Sequence, residues 1–378
     1  MRKLTSMFIV AGAVLLSAAK SFCGEMYDAN VSDFPRVEGD TSDTQRIQRA
    51  IDSAPFGVVC IPKGEYKLDS TVKVVNAASL QMHKSAKFSA VKPMETMLAY
   101  DGKISWKHSI EKANNESLAD HGMFIAGGDF DACGLADECI SLVNYRHFTF
   151  RDTVFRNPKK FGLRVGDEKK STGGYELIAN NLYFRCGLPG LAGNVGMCIY
   201  DGDSHYTDCV VIDYTTGIHV RRGGSNRLTR CHVWGGPIPP PQKGELPEML
   251  KDSICFRLSG GDAVLRDCYA DTGMIGFKIE GNSRVLGCAY FNNWRFKMDN
   301  PTVFDHVKGK LLVSDGYFTK TSNSATLYKG NMPDKFIWRD NVVNGFKPEE
   351  LGLPQTRLNM DSSASQVYDF EKPEPAKK

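Results

Sequence analysis

The chain has no C-x-x-C pair among its eleven cysteines, and it carries no nucleotide, haem or zinc signature. Redox-motif, nucleotide-dependent and zinc-ribbon classes are therefore excluded at the outset. Charge of one sign is also scarce. The formal net charge is +3 over 378 residues, too balanced to argue for nucleic acid, so any preference for an acidic partner must come from local patches. Past the N-terminus no apolar run is long enough to cross a bilayer, which predicts a mature protein without a membrane span. What is present, 42% hydrophobic and 24% charged residues, fits a folded soluble protein.

The first residues have the layout of a secretory signal peptide. Arg2 and Lys3 form a basic region, Met7 to Leu16 an apolar one, and small residues follow. Residues 1–24 are expected to be a leader cleaved somewhere between Ala18 and Glu25, which places the protein outside the cytoplasm, secreted or periplasmic.

The segments GLRVGD (162–167), GMCIYDGDS (196–204), GIHVRRGGS (217–225), SICFRLSGG (253–261) and GFKIEGNS (276–283) share one plan. Each opens on Gly or Ser, alternates apolar with other residues, and ends in a Gly/Asn/Asp turn. A second short strand follows most of them, as in HYTDCVVI (205–212) and NRLTRCHVW (226–234). A period of roughly 20–30 residues with two or three short strands per unit marks a β-solenoid. Cys209, Cys231, Cys268 and Cys288 occupy equivalent places in successive units. The long gap between the second and third holds the Pro-rich insertion 235–252, which cannot be strand. Stacked about 4.8 Å apart, these cysteines are expected to form a reduced, buried ladder, since parallel Cβ vectors suit a disulfide poorly. Ser42 and Asp43 are N-cap candidates for a helix with Ile47, Ala50 and Ile51 on its apolar face, placed to cover the first coil.

That N-terminal stretch, with Gly39-Asp40 before Ser42-Asp43-Thr44 and then Pro62, Gly64 and Tyr66, resembles the start of the pectate-lyase and polygalacturonase superfamily. IAGGDFDACG (125–134) is similar to another of its coils. The resemblance implies a right-handed parallel β-helix over residues 25–352 with an N-terminal capping helix, an irregular tail over 353–378, and a polysaccharide partner. It does not extend to the hydrolase chemistry. Where the family's N-x-D, D-D and G-H-G motifs would fall stand Phe161, Val195, Thr216 and Ile275, and the R-x-K position reads Lys278-Ile279-Glu280. Only Asp252 keeps a carboxylate there. Two carboxylates flanking a glycosidic bond, as inverting hydrolysis needs, cannot be placed.

Strand alternation points Met197, Ile199, Ile218, Val220, Ile254, Phe256, Phe277 and Ile279 inward. It leaves two outward columns: Arg164, Cys198, His219, Cys255 and Lys278, then Gly166, Tyr200, Arg221, Arg257 and Glu280. Arginine forks take carboxylates bidentately and a tyrosine ring stacks on a sugar face, so the second column suits an acidic glycan. An equally physical alternative is a solvated face carrying an Arg257–Glu280 surface pair. The turns beyond add Arg222, Asp201 and Asp203 as sugar-contacting candidates, and Trp234 could wall one end of the groove. Ca²⁺ near Asp201 and Asp203 stays an open cofactor expectation without a D-x-D-x-D-G loop, and no metal ligand set is assigned. The resemblance implies a Lys or Arg base for uronate β-elimination, with Arg or Ca²⁺ neutralising the carboxylate. Lys278 is the candidate base, Arg257 and Arg221 the clamp, and His219 a further catalytic candidate. Three functions follow as expectations: a polysaccharide lyase, a hydrolase or transferase using Asp201, Asp203, Asp252 or Glu280, and a non-catalytic glycan-binding or structural β-helix.

Overall fold

The computed structural model describes residues 27–102, 122–168, 174–188, 192–235, 244–245, 251–292, 296–320, 324–330, 336–353 and 365–368. The expected leader, most of the Pro-rich insertion and most of the tail lie outside the described residues.

The chain is a right-handed parallel β-helix. Among the described residues three long parallel sheets of twelve, twelve and ten strands form the coils, here named A (from Ala29–Asn30), B (from Gly64–Leu68) and C (from Val72–Val74). Each coil adds one strand to A, then B, then C. Right-handedness is the sense in which twisted parallel strands are joined. The helix Thr44–Ser53 buries Ile47, Ala50 and Ile51 against the first coil, as expected. Asp43 stands at its N-cap position, yet its carboxylate makes no cap bond. Instead it accepts from Arg36 and from the Lys67 backbone N–H, while Ser42 Oγ accepts the Thr44 N–H. Ser365–Tyr368, within the stretch expected to be irregular, adds a strand to Asn341–Asn344 of sheet B.

Between sheets A and B the chain turns within two residues. The first is left-handed in coil after coil: Asp152, Asn181, Asp208, Arg230, Asp267, Gly287, Asp315 and Asp340 all have φ between 50° and 62°. Asp, Asn and Gly tolerate that conformation best, which accounts for seven of the eight. The second residue points inward, and in four successive coils it is Cys209, Cys231, Cys268 and Cys288, all free and buried. The reduced ladder is therefore present. Its thiols donate to nearby carbonyls such as Tyr206 O and Leu228 O. Burial pushes the Cys268 thiol up, and hydrogen bonding to Cys231 does the same to Cys209. These four thiols are expected to resist a thiol reagent in the native protein and to react on unfolding. A native count that includes them would contradict the packing.

The core is built of like residues stacked on like. Phe256, Phe277 and Phe304 stack with centroids 5.4 and 5.0 Å apart, and Phe155 lies on Phe184 at 4.4 Å. The opening glycines of the repeat answer a steric demand at the corner into sheet C. A Cβ at Gly196 would come within 2.8 Å of Gly217 O and 2.4 Å of Val211, and one at Gly217 within 2.2 Å of Val233.

The fourth unit corrects the expected register. Thr216 pairs with Ile254, His219 with Arg257 and Val220 with Leu258, so Cys255, not Ser253, stands in the glycine column. Ile254, expected inside, is only partly buried, while Cys255, expected on the outward face, belongs to the core. A slip of two residues preserves the alternation of faces, so pattern alone could not detect it. The extra side chain of Cys255 has room because Ala270 follows in that coil where Val211, Val233 and Tyr290 occupy its neighbours. Ala270→Val is expected to overpack this corner and cost about 1–3 kcal/mol, read as a lowered denaturation midpoint.

Candidate functional site

With the register corrected, the two outward columns of sheet C change membership. The first runs Arg164, Cys198, His219, Arg257, Lys278, Asp305. The second places Tyr200, Arg221, Ser259 and Glu280 just beyond the strand ends, with Ser259 where Arg257 was expected. Around them lies an open cleft of about 410 Å³ lined by Glu168, Tyr200, His219, Arg221, Arg222, Arg257, Ser259 and Glu280.

One hydrogen-bonded chain crosses the cleft. Arg221 Nε donates to His219 Nδ1 at 3.4 Å, and His219 Nε2 lies 3.0 Å from Ser259 Oγ. Ser259 Oγ donates to Glu280 Oε2 at 2.5 Å. Arg257 grips the same carboxylate with both arms, Nε to Oε2 at 2.9 Å and Nη2 to Oε1 at 3.0 Å. A serine that donates to Glu280 must accept from His219, which puts the imidazole proton on Nε2 and leaves Nδ1 as acceptor for Arg221. Burial, then the charges of Arg257 and Arg221, drive the His219 pKa down to about 3. The ring is neutral at ordinary pH. Burial works against ionised Glu280, but the bonds from Arg257 and Ser259 outweigh it and hold its pKa at about 2.

Tyr200 forms the other wall. Its ring lies under the Arg221 guanidinium at 5.6 Å, and its hydroxyl accepts from Arg221 Nη1 at 2.9 Å. Burial, with Cys198 beneath it, pushes the phenol up to about 12, so it stays protonated. Arg221 also pairs with exposed Glu168 at 2.9 Å, and Arg222 binds the carbonyls of Asp167 and Glu168. Lys278, the expected base, lies 3.8 Å from Glu280 and 4.0 Å from Asp305, a cation between two carboxylates.

The remaining candidates lie elsewhere or do other work. Asp201 is buried in the turn, and its carboxylate fills the space beside Gly166 and Gly174. Asp203 is exposed, with φ 52°. Trp234 belongs to sheet B, in register with Ile212 and Asp271, and does not line the cleft. Among the described residues no group of three or more His, Cys, Asp or Glu side chains is arranged to hold a metal ion. No described helix is long and apolar enough to cross a membrane.

The sequence reading missed Ser259 and Glu168. Aligning the units on their closing turns, Leu258-Ser259-Gly260 against Ile279-Glu280-Gly281, would have set Ser259 beside Glu280. Aligning them on their opening residues displaced it. Glu168 carried no repeat signal at all.

No protein-family model matches the chain, and no curated protein matches it by sequence. Solved structures do. ORF18 of Geobacillus virus E2 matches with a TM-score of 0.53 at 17% identity, over 79% of this chain and 59% of that one. Pre-mature gene product 12 of bacteriophage phi29 matches at 0.52 and 11%, over 94% and 50%. Full-length tailspike protein 2 of the Escherichia coli O157:H7 bacteriophage CAB120 matches at 0.51 and 13%, over 84% and 42%. The chain thus spans about half the length of these structures, and at such identities the likeness is one of fold. The sheet topology and these neighbours together identify the chain as a right-handed parallel β-helix.

Proposed function

We propose that the chain is exported and binds an acidic polysaccharide along the outward face of sheet C. In this reading Arg221, Arg222 and Arg257 take uronate carboxylates and Tyr200 supports a sugar face. One observation carries the reading: three guanidiniums and a tyrosine from neighbouring coils converge on one open cleft. Of its two acidic side chains, Glu280 is largely buried and bound, leaving only Glu168 well exposed. Guanidiniums held in fixed forks recognise carboxylates with little further ordering. The resemblance to pectate lyases supports a polysaccharide partner.

Turnover by β-elimination is the second reading, favoured by an imidazole nitrogen that faces Arg221 and whose basicity, suppressed by burial and by the charges of Arg257 and Arg221, would rise as a bound uronate offsets those charges. On such a path a bound uronate would draw Arg221 off His219 Nδ1, and that nitrogen would take the proton next to the carboxylate. The electron pair would form the new C=C bond as the C–O bond to the glycosidic oxygen breaks, and that oxygen would take a proton from solvent water. Purified mature protein on polygalacturonate, alginate and neutral glycans tests both readings, following binding, unsaturated-product absorbance and reducing ends together. Binding to uronides without either product supports a binding protein. Rising absorbance that His219→Gln abolishes establishes elimination. Reducing ends without absorbance would reject it in favour of hydrolysis.

A further inference from the structure

A second face carries cations with nothing to hold. On sheet A the outward residues of seven successive strands, Tyr175–Asn180 through Phe336–Arg339, form two columns in register. One runs Ile178, His205, Arg227, Val264, Arg284, Leu312, Ile337. The other runs Asn180, Thr207, Thr229, Arg266, Leu286, Ser314, Arg339. Neither contains a carboxylate. Arg227, Arg266, Arg284 and Arg339 are exposed and make no side-chain hydrogen bond or ion pair, whereas every other arginine among the described residues has a partner. Ile178 and Ile337 are 56% and 49% exposed at the two ends of the first column. A cleft of about 530 Å³ opens on the same face, lined by Arg284 and Lys310 with Leu312, Ile337, Asn282 and Asp262.

We propose that this face of sheet A is a second anion-binding track, and that its ligand is a linear acidic glycan lying along the helix axis. Strands Arg227–Thr229 to Phe336–Arg339 span four rung steps, about 19 Å, so the arginines alternate between two parallel columns along the axis rather than forming a point site. Apolar residues between them suit the C–H faces of sugar rings. The columns hold no Phe, Tyr or Trp on which nucleobases would stack. The edge turns carry exposed Asp267, Asp315 and Asp340 beside the columns. A flat anionic bilayer would meet those carboxylates, whereas a single chain inside them would not. Four like charges also oppose pairing of this face with itself.

The test uses the full mature chain and defined oligogalacturonates, titrated calorimetrically across salt concentrations. Two sites per chain are expected. Arg266→Gln with Arg284→Gln should weaken one by at least about tenfold and flatten its salt dependence, leaving the other unchanged. Arg221→Ala with Arg257→Ala should do the converse. Arg266 and Arg284 are both exposed, so thermal midpoints should hold, and the double lysine variant should recover part of the affinity. The track is overturned if the glutamine pair leaves every site intact. It is also overturned if only the sheet C pair removes binding, or if wild type binds none of the oligomers, which would remove the sheet C reading as well. Loss in the glutamine pair of vesicle binding to phosphatidylserine, or of self-association in sedimentation, without loss of glycan, would assign the face to another partner and overturn the proposal.

Discussion

Acidification from pH 6.5 to pH 4 is expected to remove about 2–3 kcal/mol of folding stability through His219 alone. In the folded protein the ring is buried at 4% exposure, flanked by Arg257 and Arg221, and titrates near pH 3. In the unfolded chain it titrates near 6.5, so between these values only the unfolded state takes up the proton, and stability falls with pH. Glu280 extends the loss to lower pH. Its folded pKa of about 2 lies below the usual carboxylate value, so its contribution is intact above about pH 4.5 and vanishes as pH falls toward 2. Urea midpoints taken from pH 7 to pH 3.5 should show two slopes, the upper one absent in His219→Gln. A wild-type midpoint flat between pH 6.5 and 4.5 would mean that the imidazole is solvated and the Arg221–His219–Ser259–Glu280 chain is not formed.

Arg257→Ala is expected to reduce both stability and affinity. The side chain supplies two of the three hydrogen bonds that offset burial of Glu280, which is 15% exposed, and without them the carboxylate keeps only Ser259 and the more distant Lys278. Loss of one partner of a largely desolvated pair should cost about 2 kcal/mol. Uronide affinity should drop about 30-fold or more, because the cleft loses its innermost guanidinium. Arg257→Lys should recover stability better than affinity, since an ammonium satisfies charge but not a two-armed carboxylate contact. Equal losses in both variants would show that the residue acts through packing rather than through its fork.

The fold was legible because a solenoid writes its geometry repeatedly. The cysteine column, the opening glycines and the alternation through Met197, Ile218 and Phe277 each state the rung spacing independently. The apolar face of the capping helix was readable for the same reason. The site was only half legible. Tyr200, Arg221, Arg222, Arg257, His219 and Glu280 line the cleft, but Ser259 was hidden by the two-residue slip at Cys255, which leaves the faces of Phe256, Arg257 and Leu258 unchanged. Asp201 read as an open turn carboxylate because nothing local shows that Gly166 and Gly174 make room for it to turn inward. Trp234 was placed near the groove by its sequence distance from the insertion, whereas the coil carries it onto another sheet. The unpartnered arginines of sheet A were invisible for a different reason: a missing ion pair becomes evident only when all the neighbouring columns are in place.

Calorimetric titration of the mature protein with polygalacturonate oligomers, alongside neutral glycans and with Arg221→Ala/Arg257→Ala as comparison, tests the central claim most directly. The account predicts salt-sensitive binding of the uronide, no binding of neutral glycans, and loss of the sheet C site in the double variant. Equal binding of neutral and acidic glycans, or uronide binding indifferent to both arginines, would contradict it.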